Sequence, residues 1–187
     1  MPAPIEIVPA RPSWKSEFDG LKVSVLRAAP ARSCVHHIGS TAIPGLAAKD
    51  IIDIQLTVEN LDGVDDEALL IAGFERVFGL SDHCPLGMQL QARELEKRFY
   101  RSNGRAANLH VREQGRFNQR YALLCRDYLR THPDAAGAYA LIKVRLAMRT
   151  PWDTAAYYEI KDPVFDIIMA GANEWAQRIG WSTPPSD

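Results

Sequence analysis

The sequence predicts a domain of the α+β or α/β class with a helical C-terminal part, and three features carry this prediction. Ile51–Val58 is β-branched and mostly apolar, as expected of a strand that is covered on both faces. Lys97–Ser102 and Ala107–Glu113 flank Asn103-Gly104, which is a strong signal for a β-hairpin. After Gly115, apolar residues recur at helical spacing almost to the end of the chain.

The remaining elements of the first half follow from local patterns. A helix is predicted from Ser13 to about Ala28, and a short strand over Ser33–Ile38. Leu61–Gly73 has an acidic first turn and predicts a second helix, followed by a strand over Phe74–Phe78. Residues 79–92 show no periodicity and predict a loop.

Three helices are predicted in the second half, over Phe117–Thr131, Asp134–Arg149 and Thr154–Trp181. Pro163 lies inside the third and should kink or split it, because proline lacks the backbone N–H that a helix interior requires.

We therefore predict one domain over residues 1–187. It divides into an extended arm (1–12), an α/β core (13–115), a helical part (116–181) and a tail (182–187).

Composition excludes several classes of protein. A net charge of −1 argues against binding nucleic acid by bulk electrostatics, because neutralising phosphates requires a basic surplus. No apolar run is long enough to span a membrane, and the first residues do not resemble a secretory signal, so we expect a cytoplasmic protein without a membrane partner. Three widely spaced cysteines do not form a disulfide framework.

The stretch from Gly39-Ser40 to Asp53 carries the clearest chemistry. Glycine lets the backbone approach a phosphate closely, and the following amide and hydroxyl can donate to it. A carboxylate on the next strand can hold Mg²⁺ against the same phosphates. Residues 39–49 lack the spacing of a P-loop, so a P-loop kinase is disfavoured.

The segment HIGSTAIPGLAAKDIIDI, residues 37–54, resembles the signature of the GrpB family, a branch of the nucleotidyltransferase superfamily related to DNA polymerase beta. The resemblance continues, in order, through Arg98–Tyr100, Asn108–Val111, Arg126–Pro133 and Tyr139–Lys143. It implies an α+β nucleotidyltransferase fold, with a mixed β-sheet, flanking helices and a helical C-terminal part.

The resemblance also implies roles for individual residues. Gly39, Ser40 and Thr41 would contact the triphosphate of a nucleotide, and Asp53 would bind Mg²⁺ or Mn²⁺ and take part in catalysis. An acceptor hydroxyl would attack the α-phosphorus and release pyrophosphate, with metal ions holding the attacking and leaving oxygens.

Two positions depart from the acidic pattern that the family resemblance implies. Gln55 stands at the second acidic position and is expected to contact the nucleotide, although an amide is a poorer ligand for Mg²⁺ than a carboxylate. His110 stands on the strand that should supply a third acid, and it could act as a base or a ligand.

Four basic residues are candidates for phosphate contacts, although a solvated or ion-paired lysine is about as probable at each lysine position. Arg98 is preferred over Arg101 for the cleft because it lies in a segment that resembles the family. The candidates are Lys49, Arg98, Lys143 and Lys161.

Three functions remain open at this point. The first is a metal-dependent nucleotidyltransferase that moves a nucleoside monophosphate from a nucleoside triphosphate to an unidentified small-molecule or protein acceptor. The second is a nucleotide- or cofactor-binding module that has lost transfer chemistry, with a connection to coenzyme A metabolism suggested by the fusion of GrpB-like domains to dephospho-coenzyme A kinase. The third is a scaffold protein without a ligand.

Overall fold

A computed structural model describes residues 3–187 of the chain. The strands are β1 (Cys34–Ile38), β2 (Ile52–Val58), β3 (Phe74–Val77), β4 (Arg98–Ser102) and β5 (Ala107–Glu113). The helices are α1 (Ser13–Ala28), α2 (Asp66–Ile71), α3 (Phe117–Thr131), α4 (Pro133–Arg149) and α5 (Thr154–Ile179).

The strands form a five-stranded mixed sheet in the order β1-β2-β5-β4-β3. β2 and β5 are parallel neighbours at its centre, and the other pairs are antiparallel. Because side chains alternate along a strand, β2 and β5 send alternate residues to opposite faces of the sheet. The α+β class with flanking helices and C-terminal helices is therefore confirmed.

One face of the sheet is an apolar core. Ile54 and Leu109 are fully buried there, with Trp14 and Phe18 from α1 and Leu69 from α2 packed in the same cluster. The burial of such side chains stabilises a fold by about 1.5–3 kcal/mol each. This face positions the central strands.

The C-terminal helices form a second apolar cluster around Leu124 of α3, Tyr139 of α4 and Ile168 of α5. Ile43 and Leu46, from the segment between β1 and β2, belong to the same cluster. The helical part is thereby anchored to the segment that carries the Gly39-Ser40 motif.

Both ends of the described chain contact the core. Val8 of the predicted arm forms a β-bridge with Ala48, and Asp187 of the tail donates its backbone N–H to the carbonyl of Val35 on the edge strand β1. Residues 1 and 2 of the predicted arm lie outside the described residues.

The predicted strands and the three long C-terminal helices are confirmed, with two differences. Leu61–Gly73 forms a 3-10 turn over Leu61–Gly63 and then the shorter helix α2. Asp65 interrupts the predicted helix because its side chain caps α2, accepting from the backbone N–H groups of Glu67 and Ala68.

Of the two predicted effects of Pro163, a kink or a split, the split is wrong, since α5 runs from Thr154 to Ile179 with Pro163 inside it. The carbonyl that proline leaves without a helical donor belongs to Glu159, an exposed residue, so water can satisfy it. Packing against α3 and α4 also holds α5 together. Within residues 3–187, no helix has the length and apolarity needed to cross a membrane.

Candidate functional site

A cavity of about 910 Å³ lies between the second face of the sheet and helices α3, α4 and α5. Its size is in the range of small-molecule and cofactor sites. Eight of the residues predicted from the sequence line it, namely Gly39, Ser40, Thr41, Lys49, Asp53, His110, Lys143 and Lys161.

Gly39 begins the turn after β1 in a conformation that favours glycine, with φ 69° and ψ −170°. It also lies directly against Asp53. A Cβ on Gly39 would stand 2.9 Å from the Cβ of Asp53 and would overlap its Oδ2. Glycine at this position therefore allows the turn to lie directly against the carboxylate of Asp53 in the cavity wall.

Ser40 is held by a buried lysine. Lys143 of α4 donates from Nζ to Ser40 Oγ at 2.8 Å and to the carbonyl of Ala47 at 2.6 Å, and the residue is only 3% exposed. Burial lowers the pKa of Lys143 to about 7, and the positive charge of Lys161 adds to this effect. Thr41 lines the cavity, but its hydroxyl is hydrogen bonded to His37.

Asp53 is the only carboxylate on the β2 and β5 residues that face the cavity. Its Oδ1 accepts from Asn108 Nδ2 at 2.9 Å, and His110 Nε2 lies 3.8 Å from the same oxygen. Burial alone would raise the pKa of Asp53, but His110 and Asn108 outweigh it and the pKa lies below its ordinary value. Burial lowers the pKa of His110, so the imidazole is neutral at pH 7.

Arg112 organises the rest of this polar face. Its guanidinium donates to Asp82 through Nε at 2.7 Å and through Nη2 at 2.9 Å, in a bidentate pair. It also donates to Gln55 Oε1 at 2.5 Å and approaches His110 Nδ1 at 3.4 Å. Arg112 and Gln55 are buried, whereas Asp82 and His110 are partly buried.

Asp82 was not identified from the sequence. It lies in the aperiodic segment 79–92 and accepts from Arg112, Lys97 and Asn118. Burial would raise the pKa of Asp82, but the charges of Arg112 and Lys97 lower it well below the ordinary value. No local pattern indicates this residue, because its partners come from β5, from α3 and from the residue before β4.

Gln55 lies on the cavity side of β2 but does not line the cavity. It is completely buried, and its Nε2 donates to the carbonyl of Gln119 and to Thr57 Oγ1. The Gln55 side chain therefore packs between the sheet and α3 and does not reach the cavity, contrary to the expected nucleotide contact.

The preference for Arg98 over Arg101 requires correction. Arg98 points to the opposite side of the sheet, where it donates to the carbonyl of Val64 and to Asp66 Oδ1. Arg101, three residues later on β4, lines the cavity. Residues three apart on a strand point to opposite faces, so only one of the two arginines can face the cavity, and it is Arg101.

Lys49 and Lys161 lie on the aromatic side of the cavity. Lys49 Nζ is 4.6 Å from the ring centroids of both Tyr157 and Tyr158, and it donates to the hydroxyl of Tyr158. Lys161 Nζ is 4.3 Å from the ring of Phe165 and donates to Asp162. Both lysines are therefore partly held by cation–π contacts.

The residues present do not fit the two metal ions that the resemblance implies. Across residues 3–187, no group of three or more His, Cys, Asp or Glu side chains is arranged to hold a metal ion. Asp53 is one carboxylate, and its cavity-facing neighbours Asn108 and His110 are poor partners for Mg²⁺, which prefers charged oxygens.

Known proteins share most of this chain. The family described as GrpB protein matches residues 4–170. A dephospho-CoA kinase of Mycolicibacterium paratuberculosis is 34% identical over 96% of the chain, and the UPF0157 protein SCO7215 of Streptomyces coelicolor is 35% identical over 84% of the chain and 76% of its own length. The chain spans about half the length of the dephospho-CoA kinases, 48% for the first.

A solved structure agrees with this relationship. The conserved protein GrpB from Enterococcus faecalis superposes with a TM-score of 0.77 at 26% identity, covering 92% of this chain and 99% of that one. Sequence and structure therefore agree over nearly the whole chain, and the chain belongs to the GrpB family.

Proposed function

We propose that the cavity binds a nucleotide-type ligand, with its phosphates at the turn formed by Gly39 and Ser40. One observation carries the proposal: seven Lys and Arg side chains but three carboxylates line the cavity, in a chain whose net charge is −1. A local excess of positive charge in a concave site favours an anionic ligand.

The cations are not all neutralised by the protein. Arg112 and Lys97 pair with Asp82, whereas the described residues give Lys143, Lys49 and Arg101 no carboxylate within ion-pair distance. Lys143 is the most informative, because it is buried beside Ser40. A phosphate placed there would stabilise the protonated lysine.

The cavity also has aromatic side chains, which suit a base or another flat group. Phe99, Tyr157, Tyr158 and Phe165 line it. Aromatic side chains stack on nucleobases with little dependence on the base. An amphipathic ligand, with phosphates at Ser40 and a ring against these aromatic side chains, fits both kinds of lining residue.

A second candidate function is nucleotidyl transfer, and the position of Asp53 favours it. Its carboxylate lies beside the glycine turn, and its pKa is below the ordinary value, so it is ionised at neutral pH. There it could accept the proton of an acceptor hydroxyl as that oxygen attacks the α-phosphorus and pyrophosphate leaves. The resemblance implies Mg²⁺ or Mn²⁺ for this reaction.

The similarity to proteins named dephospho-CoA kinase suggests which ligands to test. Dephospho-coenzyme A contains an adenine nucleotide and a diphosphate, the two chemical groups that the cavity suits. We therefore include it beside ATP, UTP and inorganic tripolyphosphate.

Thermal shift measurements with these four compounds test the proposal. We expect at least one to raise the unfolding midpoint of the wild-type chain, because a ligand that binds the folded state stabilises it. Lys143→Met should lose most of the shift. Lys15→Met, which removes a lysine with a 67% exposed side chain on α1, is the matched control and should retain it.

Absence of a shift with all four compounds would contradict the proposal. Pyrophosphate release separates the two candidate functions. Release that disappears in Asp53→Asn supports transfer, and a midpoint shift without release supports binding alone.

A further inference from the structure

We infer that this site holds its anionic ligand without a divalent metal ion, and that Arg112 takes the place of the ion. The inference rests on the proposed function, because it concerns how the same site neutralises phosphate. It is carried by the network around Arg112 and by the types of side chain on the cavity side of β2 and β5.

The guanidinium of Arg112 contacts the side chain at the second acidic position, Gln55. Its Nη1 donates to Gln55 Oε1, so the oxygen of that amide is already bound. The Nε2 of Gln55 is a donor and points to the carbonyl of Gln119. A cation near Gln55 would therefore meet a buried positive charge.

Asp82 cannot serve as a replacement ligand in this arrangement. Its Oδ1 accepts from Lys97 and Arg112, and its Oδ2 accepts from Arg112 and Asn118. A metal ion would have to displace two buried cations from this carboxylate. Removing one partner from a buried charge pair is costly.

His110 faces Asp53 in an orientation that also disfavours a metal. Arg112 Nη2 approaches Nδ1 of the imidazole, which makes Nδ1 the acceptor. In the neutral ring the proton then lies on Nε2, the atom that points towards Asp53. An N–H group, rather than a lone pair, is directed at Oδ1 of Asp53, so Nε2 of His110 cannot join this carboxylate as a metal ligand.

The same residues supply positive charge to the ligand. Lys97 and Arg112 stand on the cavity wall, Arg101 is free of carboxylate partners among the described residues, and Lys143 lies at the Ser40 turn. A polyphosphate can be neutralised by fixed guanidinium and ammonium groups in the way that arginine and lysine commonly bind phosphate. The expected ligand is thus a nucleotide or polyphosphate in its metal-free form.

The first test measures ligand affinity with and without metal, using tripolyphosphate and ATP on the wild-type chain. The dissociation constant in EDTA is expected to lie within about twofold of its value in excess Mg²⁺ or Mn²⁺. Affinity that strengthens about tenfold or more with either metal would overturn the inference.

The second test does not depend on the nucleotide. In a titration with Mn²⁺, electron paramagnetic resonance is expected to detect no protein-bound ion that is present in the wild type and absent in Asp53→Asn. An ion that binds the wild type and is lost in that variant would overturn the inference. If no phosphate compound binds under any condition, the proposed function fails, while the Mn²⁺ titration still decides the metal question.

A third test uses Gln55→Glu, with circular dichroism confirming that it folds. Because Arg112 would pair with the new carboxylate, Gln55→Glu is expected to bind no Mn²⁺ beyond what the wild type binds. An ion that binds Gln55→Glu but not the wild type would show that Arg112 does not block the position.

Discussion

The two faces of the sheet are built from the same strands but have opposite chemistry. On one face, Ile54 and Leu109 pack into an apolar core under α1 and α2. On the other, Asp53, His110 and Arg112 point towards the cavity under α3, α4 and α5. The apolar face stabilises the fold and positions the strands. The cavity face can therefore carry charged groups, which stabilise the fold less.

The largest expected effect is on the apolar face. Leu109→Ala removes a fully buried side chain from the central strand and should lower the free energy of unfolding by about 2–5 kcal/mol. Urea denaturation measures the change. Leu86→Ala, at a side chain 93% exposed, is the control and should be nearly neutral. A small loss at Leu109 would show that the apolar face does not hold the sheet.

Gly39→Ala tests the junction between the turn and the polar face. The positive φ should cost about 1–3 kcal/mol, and the overlap with Asp53 should add to it and abolish ligand binding. Gly45→Ala is the control, because Gly45 also has a positive φ, +76°, but open space around the position. Equal losses in the two variants, measured by denaturation, would contradict a steric role for Gly39.

The buried lysine predicts a pH dependence of stability. Lys143 has a pKa of about 7 in the folded state against an ordinary value of 10.5. Between these values the unfolded chain binds the proton and the folded chain does not. Stability of the wild type should therefore rise with pH across this window, by at most about 1.4 kcal/mol per pH unit.

Lys143→Met lacks this term, so the difference in stability between wild type and variant should grow in favour of the wild type from pH 7 to about pH 10. Denaturation at several pH values measures it, and Lys15→Met should follow the wild type. A difference in stability that does not change with pH would mean that burial does not lower the pKa of Lys143.

The smallest effects come from two arginines on opposite faces of β4. Arg98→Ala loses bonds to Val64 and Asp66 and should cost about 1–2 kcal/mol without changing ligand affinity. Arg101→Ala should change stability by less than about 0.5 kcal/mol but weaken ligand binding about fivefold to tenfold. Denaturation and binding measurements on both variants test this prediction. A loss of stability in Arg101→Ala together with a loss of ligand affinity in Arg98→Ala would contradict it.

Much of the fold could be predicted because its signals are local. The strand Ile52–Val58 and the hairpin of β4 and β5 follow from β-branched runs and Asn103-Gly104. The helix over Leu61–Gly73 was predicted too long, because the capping role of Asp65 competes with helical spacing. The sequence does not show that α5 continues through Pro163, because exposure and packing decide whether a helix tolerates proline.

The site was only partly predictable. Gly39, Ser40 and Asp53 lie close together in sequence, and the turn between them brings them together in space. The sequence does not indicate Asp82, because its role depends on ion pairs with Arg112 and Lys97, which reach it only in the folded chain. Choosing between Arg98 and Arg101 required knowing which face of the sheet each β4 side chain points to. The sequence does not determine this, because a shift of one residue in strand register exchanges the two faces.

The sequence by itself determined the α+β class, the family motif and the position of the glycine turn relative to the strand carboxylate. These depend on residue type and short spacing, which constrain the backbone locally. Only the tertiary structure decided which side chains share the cavity, because pairing of β5 with β2 places Arg112 beside Gln55 and His110 beside Asp53. Those contacts join segments far apart in the chain, and they determine whether the acidic motif faces a metal ion or a guanidinium group.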